Sequence, residues 1–142
     1  MSCEFPLYLP IGDMENDGFI AVPRRPLTTQ EVEWVTEIVL ISPQWADVSL
    51  GSLHVIGECA SEPRSVVFEK PEQPQTPLLA GHQGLVGEID LAILHGGKKE
   101  PLTILLHYAD GSLSLLEVIW YNFPEPIPQT WNVVSREVRP GR

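Results

Sequence analysis

The chain predicts an α+β fold: an antiparallel sheet of about five strands with one main helix packed on one face. Three observations predict it. Leu85 to Tyr121 reads as consecutive strand segments joined by short turns, Asp110-Gly111 separates two apolar runs, and one stretch, Thr29 to Ile41, carries helical periodicity behind a capping signal.

In the first strand segment Leu85, Ile89, Leu91 and Ile93 alternate with Glu88, Asp90 and Ala92, and a period of two buries one face. The second, Leu102 to Ala109, runs through Asp110-Gly111 into Ser112 to Tyr121. Asp-Gly between apolar runs is a strong hairpin signal, because a type I′ turn needs positive φ at both central residues. Counting outward from that turn pairs Tyr108 with Leu113, Leu106 with Leu115 and Ile104 with Glu117 on one face. The other face then holds His107 opposite Ser114, Leu105 opposite Leu116 and Thr103 opposite Val118, with Trp120 further along. The first is expected to be the core face, and the second, mixed face needs a cover over Leu105 and Leu116.

Thr28 and Glu31 have capping-box spacing, which starts the helix at Thr29, and Pro43 stops it after Ile41. Val32, Val35 and Val39 form one apolar stripe beside Trp34, Ile38 and Ile41. Gly51 to Ala60 and Ser65 to Lys70 supply two further strand candidates. The whole chain, 1–142, is expected to be a single domain. Met1 to Pro26 holds four prolines and is expected to be an extended segment lying along the fold; residues 122–142 are an extended, proline-rich tail that ends in an edge strand or without structure. Between Lys70 and Gly84, prolines, glycines and glutamines mark a long loop, the piece expected to be most mobile.

With 19 acidic against 9 basic side chains the formal charge is −10, so a nucleic-acid backbone would be repelled and a basic protein surface attracted. No run is long and apolar enough for a membrane span, and the N-terminus lacks the pattern of a signal peptide. Two cysteines, Cys3 and Cys59, make no disulfide framework. These features together point to a reducing, cytoplasmic setting.

Chemical motifs are sparse. His54, His82, His95 and His107 fall on different elements without ligand spacing, so neither a metal nor another cofactor is expected. Glu88 and Asp90 share a face two residues apart, the geometry of a cation or acid-base pair and equally of an ordinary solvent-facing strand. Glu117, counted onto the core face, is either a rim residue reaching water or a costly buried carboxylate and hence a functional candidate. Gly96-Gly97-Lys98-Lys99 joins two strands, whereas a phosphate loop leads into a helix. Nothing in the sequence recommends an enzyme.

Three fragments carry a resemblance: Pro26-Leu27-Thr28-Thr29-Gln30-Glu31, the stretch from Gly57 through Cys59 to Val66, and Leu106-His107-Tyr108-Ala109-Asp110-Gly111-Ser112-Leu113-Ser114-Leu115-Leu116-Glu117-Val118. Together they resemble a family of small bacterial proteins without an assigned function, whose pattern is a Pro-Leu-Thr-x-x-Glu helix start, a cysteine-rich turn and a Leu-His-x-x-Asp-Gly-x-Leu-Ser-x-Leu-Glu-Val hairpin. The resemblance spans about Arg25 to Trp120 and implies the fold and a bacterial cytoplasmic setting. Of the turn's cysteines this chain keeps Cys59, with Ser61 and Pro63 at the other positions, so no metal or redox role carries over.

The expected function is a non-enzymatic, acidic protein-binding module, in one version a bacterial immunity or regulatory protein that neutralises a basic toxin or enzyme. Its face would hold Glu88, Asp90, Leu105, His107, Leu116 and Trp120. One alternative is a small-ligand or enzymatic site between the 70–84 loop and the sheet, using Glu88, Asp90, His107 and Glu117; another is a homodimer burying Leu105, Leu116 and Trp120.

Overall fold

A computed structural model describes residues 18–60, 64–122 and 125–141. Its elements are β1 (Phe19–Pro26), α1 (Thr29–Leu40), β2 (His54–Cys59), β3 (Val66–Phe68), β4 (Gln83–His95), β5 (Lys98–Ala109), β6 (Ser112–Trp120) and β7 (Asn132–Pro140). They form one antiparallel sheet of seven strands, in the order β1-β2-β3-β6-β5-β4-β7, with α1 on one face. The α+β class is as the sequence predicts, with more strands than the expected five or so.

The additional strands come from the proline-bearing ends. Phe19–Pro26 pairs with β2, because on an edge strand prolines such as Pro23 and Pro26 need not donate to a ladder. The expected extended N-terminal segment is therefore partly a strand; residues 1–17 lie outside the described residues. In the tail, β7 pairs with β4 from Gly87↔Pro140 to Leu94↔Asn132.

Helix α1 begins as its sequence dictates. Thr28 Oγ1 accepts from the Glu31 N–H at 3.2 Å, and the Thr28 N–H donates to Glu31 Oε1 at 2.8 Å. Arg25, from β1, donates to both Glu31 oxygens and also reaches Glu58. The bond to Glu31, the main influence, and the nearby negative charges raise the guanidinium's pKa against the opposing effect of burial. Trp34, Val35, Ile38 and Val39 are buried against the sheet, whereas Val32 and Ile41, expected on the apolar face, stay exposed. The main core unites these residues with Ile89, Leu91, Ile93, Leu102, Ile104 and Leu106.

The hairpin turn is as predicted, with φ 50° at Asp110 and 73° at Gly111. Register follows the expected count for Ala109↔Ser112 and Tyr108↔Leu113, then shifts: His107 faces Leu115, Leu106 faces Leu116, and Ile104 faces Val118. Ser114 is the extra residue of a β-bulge. Three expectations are corrected by it. Leu116 and Trp120 lie in the helix-side core, not on the mixed face; Leu115 leaves that core for a second, smaller cluster with Phe19, Cys59 and Val67; and Glu117 faces Leu105 instead of Ile104. The physical reason is a balance of burial. An unshifted strand would have pressed the Glu117 carboxylate into the core, at several kcal/mol, and turned Leu116, Val118 and Trp120 outward, each giving up roughly 1.5–3 kcal/mol of burial. The bulge avoids both for one unpaired residue.

The 70–84 loop is fastened to that turn rather than loose. Lys70 Nζ lies 2.9 Å from Asp110 Oδ2, Gly81 N–H donates to Asp110 Oδ1 at 2.7 Å, and Thr76 N–H donates to the Gly111 carbonyl at 2.8 Å. A Cβ at Gly111 would come within 2.7 Å of the Thr76 carbonyl oxygen, so glycine is required here for space as well as for φ. Cys59 is buried and disulfide-bonded; Cys3 lies outside the described residues. No helix among the described residues is long and apolar enough to cross a membrane.

Candidate functional site

The sheet face turned away from α1 is laid out by pairing alone. One row across the strands runs Glu117 on β6, Leu105 on β5, Glu88 on β4 and Arg139 on β7; the next runs Ile119, Thr103, Asp90 and Glu137. Strand spacing makes each row roughly 14 Å wide.

The acid pair singled out in the sequence is held by side chains on other strands. Arg139 Nη2 lies 3.3 Å from Glu88 Oε2 and also bonds Asp90. Thr103 Oγ1 donates to Asp90 Oδ1 at 2.9 Å and lies 2.9 Å from the Tyr121 hydroxyl. Glu88 and Asp90 are thus bridged by one guanidinium, an arrangement that orders them and halves their charge.

His107 is only 7% exposed. It stands opposite Leu115 on one side and Leu85 on the other, and both neighbouring strands shift register beside it, β6 at Ser114 and β4 between Leu85 and Gly87. Its Nε2 is 2.9 Å from Glu117 Oε1. A carboxylate can only accept, so Nε2 is the donor in that bond. Nδ1 and the Ser114 hydroxyl are buried without hydrogen-bond partners. The sequence missed this pair because an unshifted register separates the two residues onto opposite faces.

Of the sequence-derived candidates, Glu88, Asp90, Leu105 and His107 share this face, and Leu116 and Trp120 do not. Arg139, Glu137 and Thr103 complete it. Thr103 was already counted onto the mixed face, and the signal for Arg139 and Glu137 was the alternation of charge along Arg136-Glu137-Val138-Arg139, visible only if the tail is taken as a strand.

Two clefts lie beside the sheet. One, of about 300 Å³, is lined by Asp90, Leu91, Ala92, Ser135, Arg136 and Glu137. Another, of about 340 Å³, lies on the helix side, lined by residues including Trp45, Val86, Tyr108 and Pro140. The 70–84 loop sits at the hairpin end, with Leu79 packed on the helix-side core. Among the described residues no group of three or more His, Cys, Asp or Glu side chains is placed to hold a metal ion. Compared with known proteins, the chain matches no family model, no curated protein and no solved structure.

Proposed function

We propose that this protein is a non-enzymatic binding module whose open sheet face docks on a basic protein surface. One observation carries the reading: the two rows place Glu88, Asp90, Glu117 and Glu137 around the half-buried Leu105 and Ile119, with Arg139 the one guanidinium in those rows. Apolar side chains ringed by four carboxylates that share one guanidinium suit a partner with basic residues around a small apolar patch. Elsewhere the described cations are largely consumed internally, as Arg24 with Glu69, Arg25 with Glu31, Lys70 with Asp110 and Arg136 with Glu37. A small bacterial immunity or regulatory protein that neutralises a basic toxin or enzyme is the form of this function we favour.

Co-purification tests it. Wild type and a Glu88→Lys/Asp90→Lys variant are immobilised and loaded with a bacterial lysate at low salt. A partner held by wild type, lost by the variant and released by about 0.5 M salt is expected from charge-steered association. Retention of the same proteins by the variant, or at high salt, counts against the face.

A second reading has its own observation. The buried Nδ1 of His107 has no hydrogen-bond partner among the described residues, while Glu117 fixes the ring through Nε2, a geometry that suits proton exchange with a bound ligand. A small ligand that shifts the His107 ring resonances in wild type and not in Glu117→Gln would favour it.

A further inference from the structure

We propose that two copies of this chain pair through β7, edge to edge and antiparallel, about a two-fold axis passing through Val138. Strand β7 is an outer strand of the sheet, bonded to β4 on one side, and its side chains are exposed along nearly its whole length.

The free edge has a definite parity. Gly141 N–H donates to the Val86 carbonyl at 2.7 Å, while Pro140 stands opposite Gly87 and Arg139 opposite Glu88. In an antiparallel ladder this fixes the alternation: Glu137 and Arg139 turn their N–H and C=O groups toward β4, and Arg136 and Val138 turn theirs outward. Among the described residues nothing bonds to those outward groups. With the axis at Val138, the two Val138 residues exchange N–H···O=C bonds, and each Arg136 N–H donates to the Pro140 carbonyl of the second copy. Proline, which has no N–H, therefore falls where its carbonyl is still used.

Side-chain charge selects the same register. A two-fold axis normal to the sheet keeps each face continuous, so paired residues share a face. Centred on Val138, Glu137 lies opposite Arg139 of the second copy, and the reverse, on the open face. Centring on Glu137 would set two carboxylates opposite each other, and on Arg136 two guanidiniums, both unfavourable. The bulge at Val134, left between the Ala92↔Ser135 and Ile93↔Val133 pairs, ends the usable stretch. The opposite edge offers no such stretch, because β1 shifts register between Ala21 and Arg25 and carries Pro23 and Pro26.

The test is oligomeric state joined to amide exchange on the full chain. Sedimentation equilibrium should show a mass rising with concentration from 15.8 kDa toward twice that value. Over the same range the Val138 and Arg136 amides should slow in exchange, while the Glu137 and Arg139 amides, bonded to β4, stay slow throughout. Glu137→Lys, at a side chain 68% exposed, should keep the fold by circular dichroism and raise the dimer dissociation constant roughly tenfold or more. A protein that stays monomeric at millimolar concentration overturns the pairing and leaves the edge to a foreign strand. A dimer whose Val138 and Arg136 amides exchange independently of concentration, or one unaffected by Glu137→Lys, overturns it equally.

Discussion

His107 and Glu117 meet side chain to side chain, Nε2 to Oε1 at 2.9 Å, only because Ser114 is an extra, unpaired residue within β6. Without that residue the carboxylate would lie on the other side of the sheet. A histidine this deeply buried has one partner, and the register supplies it.

Replacing Glu117 by Ala strips the one hydrogen bond from a buried imidazole and is expected to cost about 1–3 kcal/mol. Glu117→Gln keeps an acceptor oxygen and should cost less than half as much. Urea unfolding of the two variants compares them directly, and equal losses would show that His107 does not depend on the bond.

Ser114 offers a sharper contrast. Ser114→Ala removes a hydroxyl that has no hydrogen-bond partner and should change stability by less than about 1 kcal/mol. Deleting Ser114 realigns β6, sends Glu117 inward and Trp120 outward, and should cost more than about 4 kcal/mol, a large part of a domain's stability. Thermal melts distinguish them, and a stable deletion variant would mean that the strand tolerates either register.

Acid should loosen the 70–84 strap. The Asp110 carboxyl is held below its usual range, first by the Lys70 ammonium and then by the Gly81 N–H. A carboxyl whose pKa is lowered by folding adds stability that is fully present above the unfolded value of about 4, and lost as pH falls through the folded one. Protection of the Gly81 amide, its exchange rate measured against the intrinsic rate at the same pH, should therefore fall on acidification through and below pH of about 4. Asp110→Asn tolerates the same positive φ and keeps an acceptor oxygen but loses the Lys70 ion pair, so its Gly81 protection should be lower than wild type at neutral pH and should not change further with acid.

Glu31 joins the helix start to β1 through Thr28 and Arg25 and is almost fully buried. Glu31→Ala should destabilise by about 1–3 kcal/mol, since it removes a cap and leaves the guanidinium without its bidentate partner. Arg139→Ala, at an exposed side chain, should change stability by under about 1 kcal/mol. Because it removes the cation from the acidic rows, it should also tighten binding of a basic partner at low salt.

Much of this architecture was legible in the residues. The Thr28–Glu31 spacing placed the helix start, and Asp110-Gly111 placed the turn, because each depends on chemistry confined to a few neighbouring positions. What stayed hidden depends on distant pairing. Leu115 and Leu116 are adjacent and identical in type, and nothing local says which of them belongs to which face. Likewise Arg139 reads as part of a polar tail until β7 is set beside β4 and its charge falls between Glu88 and Asp90. The loop's prolines signalled irregular backbone correctly but said nothing of how firmly Asp110 holds it.

The kinked, proline-bearing margin of β1 has a consequence for assembly. A ribbon with two clean rims can add units without end, whereas one with a single clean rim is used up by its first mate. If copies join through β7, both remaining margins of the pair are β1 margins, and the product is a closed particle that cannot lengthen into a fibre.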